Sequence, residues 1–477
     1  MSVIRVKHTS IVIPEYNLGD DDELERSLSV WDEVCYQRIE KGFMYKEDTR
    51  ELIVPRGIST KYLEKRFDMM SVMDDHHDPC EAAVYKLKME PRDDIQRRGI
   101  SFLLGEGEFS YTKKYSQLAL NFDTGYGKTY TAIATLTMLK TKAIIITNQN
   151  ALKEQWIKEF KEKTFLDEKF MCDISGKQSL KKLLDGKNIY KVYFVNHQTL
   201  NAHAKANGWN AVGELFKTLK VGVKIFDEAH LQFDNMMRID FSTNTKRTFY
   251  LTANFERTHY SDNKLFNICF KNAVQYGLEE KVNARKHIKY LAVFFDSKPV
   301  GMDRVFIKNR FGLDKNRYIE YELDKGKIFD VLDFVIEGIC KSKSLVLFST
   351  IAATELYYEH IIKKYPDKIV SLINSTASED RKTNVQIADI IVSTPKSLGV
   401  GIDVKGLKFI INTEPYSSRI TANQVPGRLR VLSDTENSGY IELVDVGFPI
   451  IMQSYKKRLK YLKEKCSETK IFEYKEK

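Results

Sequence analysis

Apolar residues along this chain gather in short runs of four to six, and the stretches between them carry helical spacing. Residues 118–122, 143–147, 192–195, 223–226 and 249–252 are aliphatic or aromatic almost throughout. Runs of that length without polar alternation predict strands covered on both faces, as in a parallel sheet. The series repeats at 345–348, 369–373, 390–394, 409–412 and 440–444, with helical patterns such as 352–364 between the runs. Two successive βα arrays predict an α/β chain with two tandem doubly wound lobes. Ahead of them, residues 3–6, 10–13 and 51–54 read as strands of a small α+β accessory unit.

The expected divisions are 1–85 for the accessory unit, 86–275 and 276–448 for the lobes, and 449–477 for a basic tail. The tail reads as a long helix in which Tyr455, Leu459 and Leu462 recur at helical spacing and pack on a lobe. Lys456, Lys457, Arg458, Lys460, Lys463 and Lys465 fill its other faces, either solvated or against nucleic acid.

Two motifs carry chemistry. Asp123-Thr124-Gly125-Tyr126-Gly127-Lys128-Thr129 joins a strand run to the helical stretch 130–139. A glycine-rich turn into a helix N-terminus lets backbone N–H groups converge on phosphates. Lys128 would reach the β/γ-phosphates and the Thr129 hydroxyl would ligate Mg²⁺. Asp227-Glu228-Ala229-His230 follows the strand run 223–226, where Asp227 would hold Mg²⁺ and Glu228 would orient and deprotonate a water. Together they predict ATP hydrolysis with Mg²⁺. One departure is Phe122, where a phosphate-binding loop wants a small residue.

At 477 residues, 43% hydrophobic and 29% charged, the chain suits a globular protein of two or three domains. It lacks any apolar run near the roughly 20 residues needed to span a bilayer, so no membrane partner is expected. Residues 1–8 lack the apolar core of a signal peptide, and the six cysteines are scattered. A cytoplasmic protein with reduced thiols, in a bacterial host or at a viral replication site, is the expectation. The net charge of +10 is compatible with a polyanionic partner. In Asp74-Asp75-His76-His77-Asp78-Pro79-Cys80 no second ligand pair accompanies the histidines, which favours a solvated linker over a zinc site.

These motifs resemble those of a superfamily 2 helicase or translocase over roughly residues 90–450, and the resemblance implies RecA-like lobes. Arg92 and Gln96 are similar to the family's adenine-reading element, though four apart where three is commoner. The resemblance assigns ATP contacts to Thr124, Gly125, Tyr126, Gly127, Lys128, Thr129 and Asp403. It assigns nucleic-acid contacts to Asn148, Gln155, Asn196, His197, Thr350, Thr394 and Gly399. Leu251-Thr252-Ala253-Asn254 sits where hydrolysis is coupled to strand movement, with Asn254 in place of the usual Thr. Gln424-Val425-Pro426-Gly427-Arg428-Leu429-Arg430 resembles the arginine-finger motif, its last arginine one residue early, with Val431 at the expected place. Arg428 and Arg430 are both finger candidates.

Within the superfamily the wording looks most like the phage UvsW-type branch-migration helicases, with the XPB and RadD group and the poxvirus transcript-release helicase. That likeness implies a monomeric DNA translocase acting on branched or forked duplexes, or on RNA–DNA hybrids. The alternatives are a motor that releases transcripts and a nucleotide-gated DNA-binding module with little turnover.

Overall fold

Strands that are apolar on both faces need helices on both sides, and each lobe meets that need. The computed structural model describes residues 2–32, 37–40, 42–122, 126–185, 189–231, 233–253, 260–277, 286–309, 312–325, 327–338, 342–377, 385–395, 397, 404–416, 425–429 and 436–475. The chain divides into two units, Met1–Asn283 and Ala284–Lys477.

The first unit opens with β1 (Ile4–Val6), β2 (Ser10–Ile13), β3 (Ser29–Asp32), β4 (Gln37–Glu40), β5 (Met44–Lys46), β6 (Glu51–Pro55) and β7 (Ser71–Met73). Five of these form a sheet in the order β5-β6-β2-β1-β7, and β3 pairs with β4 alone. This sheet does not have a separate core. Leu28, Leu52 and Val54 belong to one apolar cluster with Phe233, Met236, Leu265, Phe266 and Phe270 of the lobe behind it. The Thr9 hydroxyl adds a bond to the Asp240 carbonyl (2.8 Å), and Ser116 donates to the His8 carbonyl (2.7 Å). Residues 74–80 run along the lobe, where the Asp78 N–H donates to the Asn244 carbonyl (2.9 Å) and Asn244 donates back to the His76 carbonyl (2.6 Å). Among the described residues no three side chains are grouped as a metal would need.

The lobe itself holds β8 (Gln117–Asn121), β9 (Ala143–Thr147), β10 (Met171–Ile174), β11 (Val192–Asn196), β12 (Val223–Asp227), β13 (Arg247–Thr252) and β14 (Val274–Tyr276). All pairings are parallel, in the order β10-β11-β9-β12-β13-β8-β14. The helices that matter below are α1 (Asp94–Leu104), α2 (Lys128–Leu139), α3 (Asn150–Lys163), α4 (His197–Asn207), α5 (Phe233–Ser242) and α6 (Tyr260–Phe270). Alternate strand residues enter different cores. Ile144 and Ile146 join one cluster, while Ala143 and Ile145 join the other. That is why these strands read as continuous apolar runs.

The second unit repeats the plan with β15 (Ile288–Phe295), a small hairpin of β16 (Lys308–Asn309) and β17 (Gly312–Leu313), then β18 (Ser344–Leu347), β19 (Val370–Ile373), β20 (Ile390–Ser393), β21 (Phe409–Asn412), β22 (Ser438–Asp445) and β23 (Cys466–Glu473). Seven strands form a parallel sheet ordered β19-β20-β18-β21-β22-β15-β23. Helix α7 (Ile351–Lys364) follows β18, and α8 (Pro449–Lys465) follows β22. No helix among the described residues is long and apolar enough to cross a membrane. Cys80, Cys172, Cys269 and Cys466 are free thiols.

The tail departs from the sequence expectation in two ways. The helix stops at Lys465, and residues 466–473 return as β23 on the outer edge of β15. Arg458 does not join the basic solvated face; it is 1% exposed. Its Nε lies 2.9 Å from both carboxylate oxygens of Glu442, itself fully buried in the middle of β22. Tyr290 and Tyr440 donate their hydroxyls to the same carboxylate at 2.6 and 3.0 Å, and Arg458 Nη1 donates to the Tyr416 carbonyl at 2.7 Å. A charge removed from water needs this density of partners.

Removing one member leaves the other buried and unpaired. Arg458→Met should lower the unfolding free energy by about 3 kcal/mol, whereas Lys457→Met, on the exposed face, should change it by less than about 0.5 kcal/mol. Urea unfolding of both variants checks this, and equal stability would mean that the buried pair does not anchor α8.

Candidate nucleotide and polynucleotide sites

Five neighbouring strands of the first lobe end on a polar residue: Asn196, Thr147, Asp227, Thr252 and Asn121, in sheet order. Parallel strands place these ends on one edge, so side chains far apart in sequence meet there.

Residues 123–125 lie outside the described residues, so Thr124 and Gly125 have no placement. The rest of the turn is laid out clearly. Gly127 caps α2 with φ +81°, and a Cβ there would lie 2.2 Å from the Gln96 amide nitrogen. Only glycine allows both that backbone and that approach. Gln96 is itself fixed, since its Oε1 accepts the Arg92 N–H (2.8 Å) and its own N–H caps on Asp93 (2.9 Å). The segment from Arg92 to Gln96 therefore lies against the turn, with the Arg92 guanidinium paired to Asp93 at 2.8 Å.

Phe122 is accommodated by glycine. Its ring is buried between Gly99 on α1 and Gly277 after β14, where added Cβ atoms would lie 2.9 and 2.6 Å from it. Tyr126 sits beside it with ring centres 6.3 Å apart. The bulk absent from those glycines is the space this aromatic fills.

Lys128, nearly buried at the start of α2, donates to the Phe122 carbonyl at 3.0 Å and lies 3.9 Å from Glu228 Oε1. Thr129 follows in the first helical turn. The acidic box is therefore brought to the glycine-rich turn. Asp227 ends β12 with both oxygens engaged: Oδ1 accepts the Glu228 N–H at 3.0 Å and Oδ2 accepts the Trp156 indole N–H at 2.8 Å. Burial, and then the neighbouring Glu228 charge, push its carboxyl up to about 6. Glu228 adopts φ +48°, a left-handed backbone that costs a non-glycine residue about 1 kcal/mol or more. Its Oε2 is buried without a hydrogen bond, and His230 Nδ1 is 3.4 Å away. His230 also meets the Thr252 hydroxyl at 2.8 Å, and the Ala229 N–H donates to the Leu251 carbonyl at 3.0 Å, tying the box to the end of β13. Asn254 lies outside the described residues.

Hard oxygen donors at Thr129 and Asp227, with an orphaned carboxylate oxygen beside a buried lysine, fit a Mg²⁺–triphosphate. The converging turn, helix N-terminus and cation fit its phosphates.

The strand ends on the other side of β12 form a second group. The Thr147 hydroxyl donates to Asn196 Oδ1 at 2.6 Å, and Asn196 Nδ2 donates to Asn150 Oδ1. Asn148 is buried with its Oδ1 unpaired, and Gln155 is half-buried on α3. His197 points inward instead. It is 2% exposed, its ring stacks on Phe226 with centres 5.7 Å apart, and burial lowers its pKa to about 3, so it packs the core as a neutral ring.

In the second unit, Thr350 caps α7 by accepting the Ala353 N–H at 3.2 Å. Thr394 binds Ser397 through hydroxyl and backbone, at 2.9 and 3.0 Å. Arg428 is half-buried on the short 3₁₀ turn Pro426–Arg428. Gly399, Asp403, Arg430 and Val431 lie outside the described residues.

Trp156 escaped the sequence reading as a site residue. Its signal was the stripe Leu152, Trp156, Phe160 on α3, which marks an inward face but not a bond to Asp227. Trp156→Phe keeps the ring and deletes the N–H that holds Asp227 Oδ2. The Mg²⁺ concentration giving half-maximal hydrolysis should rise by roughly tenfold or more, the usual cost of losing a partner that orients a metal ligand. A Mg²⁺ titration that superimposes on that of the parent would reduce Trp156 to core packing.

Comparison with known proteins agrees with this layout. Residues 81–257 match the family model described as "Type III restriction enzyme, res subunit". Transcript termination protein A18 of Yaba monkey tumor virus is 22% identical over 336 residues, 66% of this chain and 65% of that protein, so the match spans a little under two thirds of the relative. The DNA-bound ATP-dependent Type ISP restriction-modification enzyme LlaBIII aligns over 82% of this chain and 32% of its own, at 14% identity and TM-score 0.55. S. cerevisiae Dbp5 bound to RNA and ADP BeF3 aligns over 80% and 89%, at 16% identity and TM-score 0.55. T4 UvsW aligns over 99% of this chain and 100% of its own at 15% identity, with a TM-score of 0.37 that lends the fold assignment nothing. With a glycine-rich turn, an acidic box beside it and two parallel α/β lobes, the chain shares the fold of helicase-type nucleoside triphosphatases, and the family match covers its first lobe, residues 81–257.

Proposed function

We propose that the chain is a monomeric ATP- and Mg²⁺-dependent DNA translocase that remodels branched DNA, through branch migration, fork regression or displacement of a hybrid strand. The observation that carries the reading is the approach of Lys128 to Glu228, which puts a phosphate-neutralising cation beside a buried carboxylate free to act on water. In this reading Glu228 orients the attacking water and takes its proton, while Lys128 balances charge at the β/γ-phosphates. Thr129 and Asp227 hold Mg²⁺, which screens the phosphate oxygens when bound. Gln96, Arg92 and Tyr126 position the base and sugar. Asn148, Gln155 and Asn196 in the first unit, with Thr350, Thr394 and Gly399 in the second, hold the DNA backbone, which suits a motor indifferent to sequence. Arg428 or Arg430 stabilises charge on the transferring phosphoryl group, and Asp403 contacts the ribose. Cytoplasm, of a bacterial host or at a viral replication site, is the compartment this activity needs. DNA rather than RNA is supported by the DNA-bound LlaBIII; Dbp5, solved with RNA, has a similar fold and keeps RNA–DNA hybrids within the reading.

The likeness to a viral transcript termination protein favours a second reading, a motor that dislodges transcripts from a polymerase. Labelled forks, four-way junctions and RNA–DNA hybrids separate the two when run beside a stalled transcription complex. Remodelling of the branched substrates supports the first reading, and release of RNA from the stalled complex alone supports the second.

Arg428→Ala should keep ATP affinity within a few-fold and lose DNA-stimulated turnover, by roughly 10³-fold if it acts as an arginine finger. Steady-state hydrolysis with and without DNA decides it. Full DNA-stimulated turnover in Arg428→Ala, together with its loss in Arg430→Ala, would transfer the role to Arg430.

A further inference from the structure

In the second unit, just after β15, four large apolar side chains stand in solvent within seven residues: Val300, Met302, Val305 and Phe306 are 70%, 74%, 56% and 46% exposed. Such a cluster on a protein's surface marks a contact. The segment is held in place from below. Ile307 is fully buried, the Asp314 N–H donates to its carbonyl at 2.8 Å, and the hairpin β16–β17 closes behind it.

The charges around this apolar face are predominantly positive. Residues 298–317 carry six Lys or Arg and two Asp. Asp303 accepts the Val300 N–H at 2.9 Å; Asp314 accepts the Asn316 N–H at 3.1 Å and lies 3.9 Å from Arg317 Nε. Lys315 pairs with Glu414, which leaves Arg304 and Lys308 as the cations without a carboxylate among the described contacts. Arg304 and Lys308 are exposed, and the Arg317 guanidinium lies over the Phe306 ring at 5.9 Å while donating to the Lys308 carbonyl at 3.2 Å. An aromatic face backed by a guanidinium and flanked by cations matches what unpaired bases and their phosphates require. A duplex keeps its base faces stacked and offers the ring nothing comparable.

We propose that the segment Val300 to Lys308, backed by Arg317, is a contact site for an unpaired polynucleotide strand, with bases on Phe306 and Met302 and phosphates on Arg304 and Lys308. This rests on the polynucleotide-dependent reading above.

Fluorescence anisotropy of labelled oligo(dT) and of a blunt duplex tests it, with melting temperatures of the variants confirming the fold. Phe306→Ala should weaken oligo(dT) binding roughly tenfold, leave duplex binding within about twofold, and be rescued by Phe306→Tyr, which restores the ring. Arg304→Gln with Lys308→Gln should flatten the log–log salt dependence for oligo(dT) by roughly 1.4, two phosphate contacts at about 0.7 each. Unchanged oligo(dT) affinity in a folded Phe306→Ala overturns the proposal and points to a protein partner for the apolar face. Equal weakening on both ligands overturns the stacking role. If the parent binds neither ligand, the polynucleotide reading itself falls; if it binds both and the variants match it, only this site does.

Discussion

A strand covered on both faces can present polar groups only where it ends, and the active parts of this enzyme follow from that restriction. Within the sheet interior even isolated charges are paired off: Lys224, fully buried in β12, lies 2.6 Å from Asp240 on α5, which also accepts the Tyr250 hydroxyl at 2.5 Å. At the carboxyl edge the polar groups are arranged differently. Asp227 is held by an indole and a backbone N–H, yet its neighbour Glu228 keeps an oxygen without a partner. A buried carboxylate oxygen without a hydrogen bond costs folding free energy, as does the left-handed backbone that presents it, and the two features coincide at Glu228.

In the proposed reading the same edge links hydrolysis and strand grip within one lobe. The acidic box makes two contacts that reach away from the glycine-rich turn, one through Asp227 and one through His230. Trp156 belongs to α3, the helix that starts at Asn150 just after β9, while His230 reaches the Thr252 hydroxyl at the end of β13. Movement of either element changes the setting of the acidic box. The N-terminal sheet shares its apolar core with α5 and α6, so it braces the lobe from the side of β12 and β13.

Much of this was legible in the sequence because parallel strands have a plain signature. Five strands of each lobe fall where apolar runs placed them, and β9 and β21 match to the residue. What escaped was β15, an interior strand between β22 and β23, and several strands at sheet borders. β10, β14 and β23 are border strands, exposed along one side, and their mixed residues give no continuous run. The inward Arg458 was readable in principle, since Ile451, Tyr455, Arg458 and Leu462 form one helical stripe and Glu442 interrupts an apolar strand. Each looked like a surface residue alone; only their pairing makes either burial tolerable. Motif matching found the acidic box and the turn but could not reveal that Phe122 fits because Gly99 and Gly277 leave room for it.

The central claim is that Lys128 serves phosphate chemistry while the polynucleotide is held by other groups. Lys128→Ala, assayed for ATP hydrolysis and for equilibrium DNA binding on the same preparation, tests it most directly. The account predicts hydrolysis reduced to background with DNA affinity close to that of the parent. Hydrolysis at the parent's rate, or loss of DNA binding in a folded variant, would contradict it.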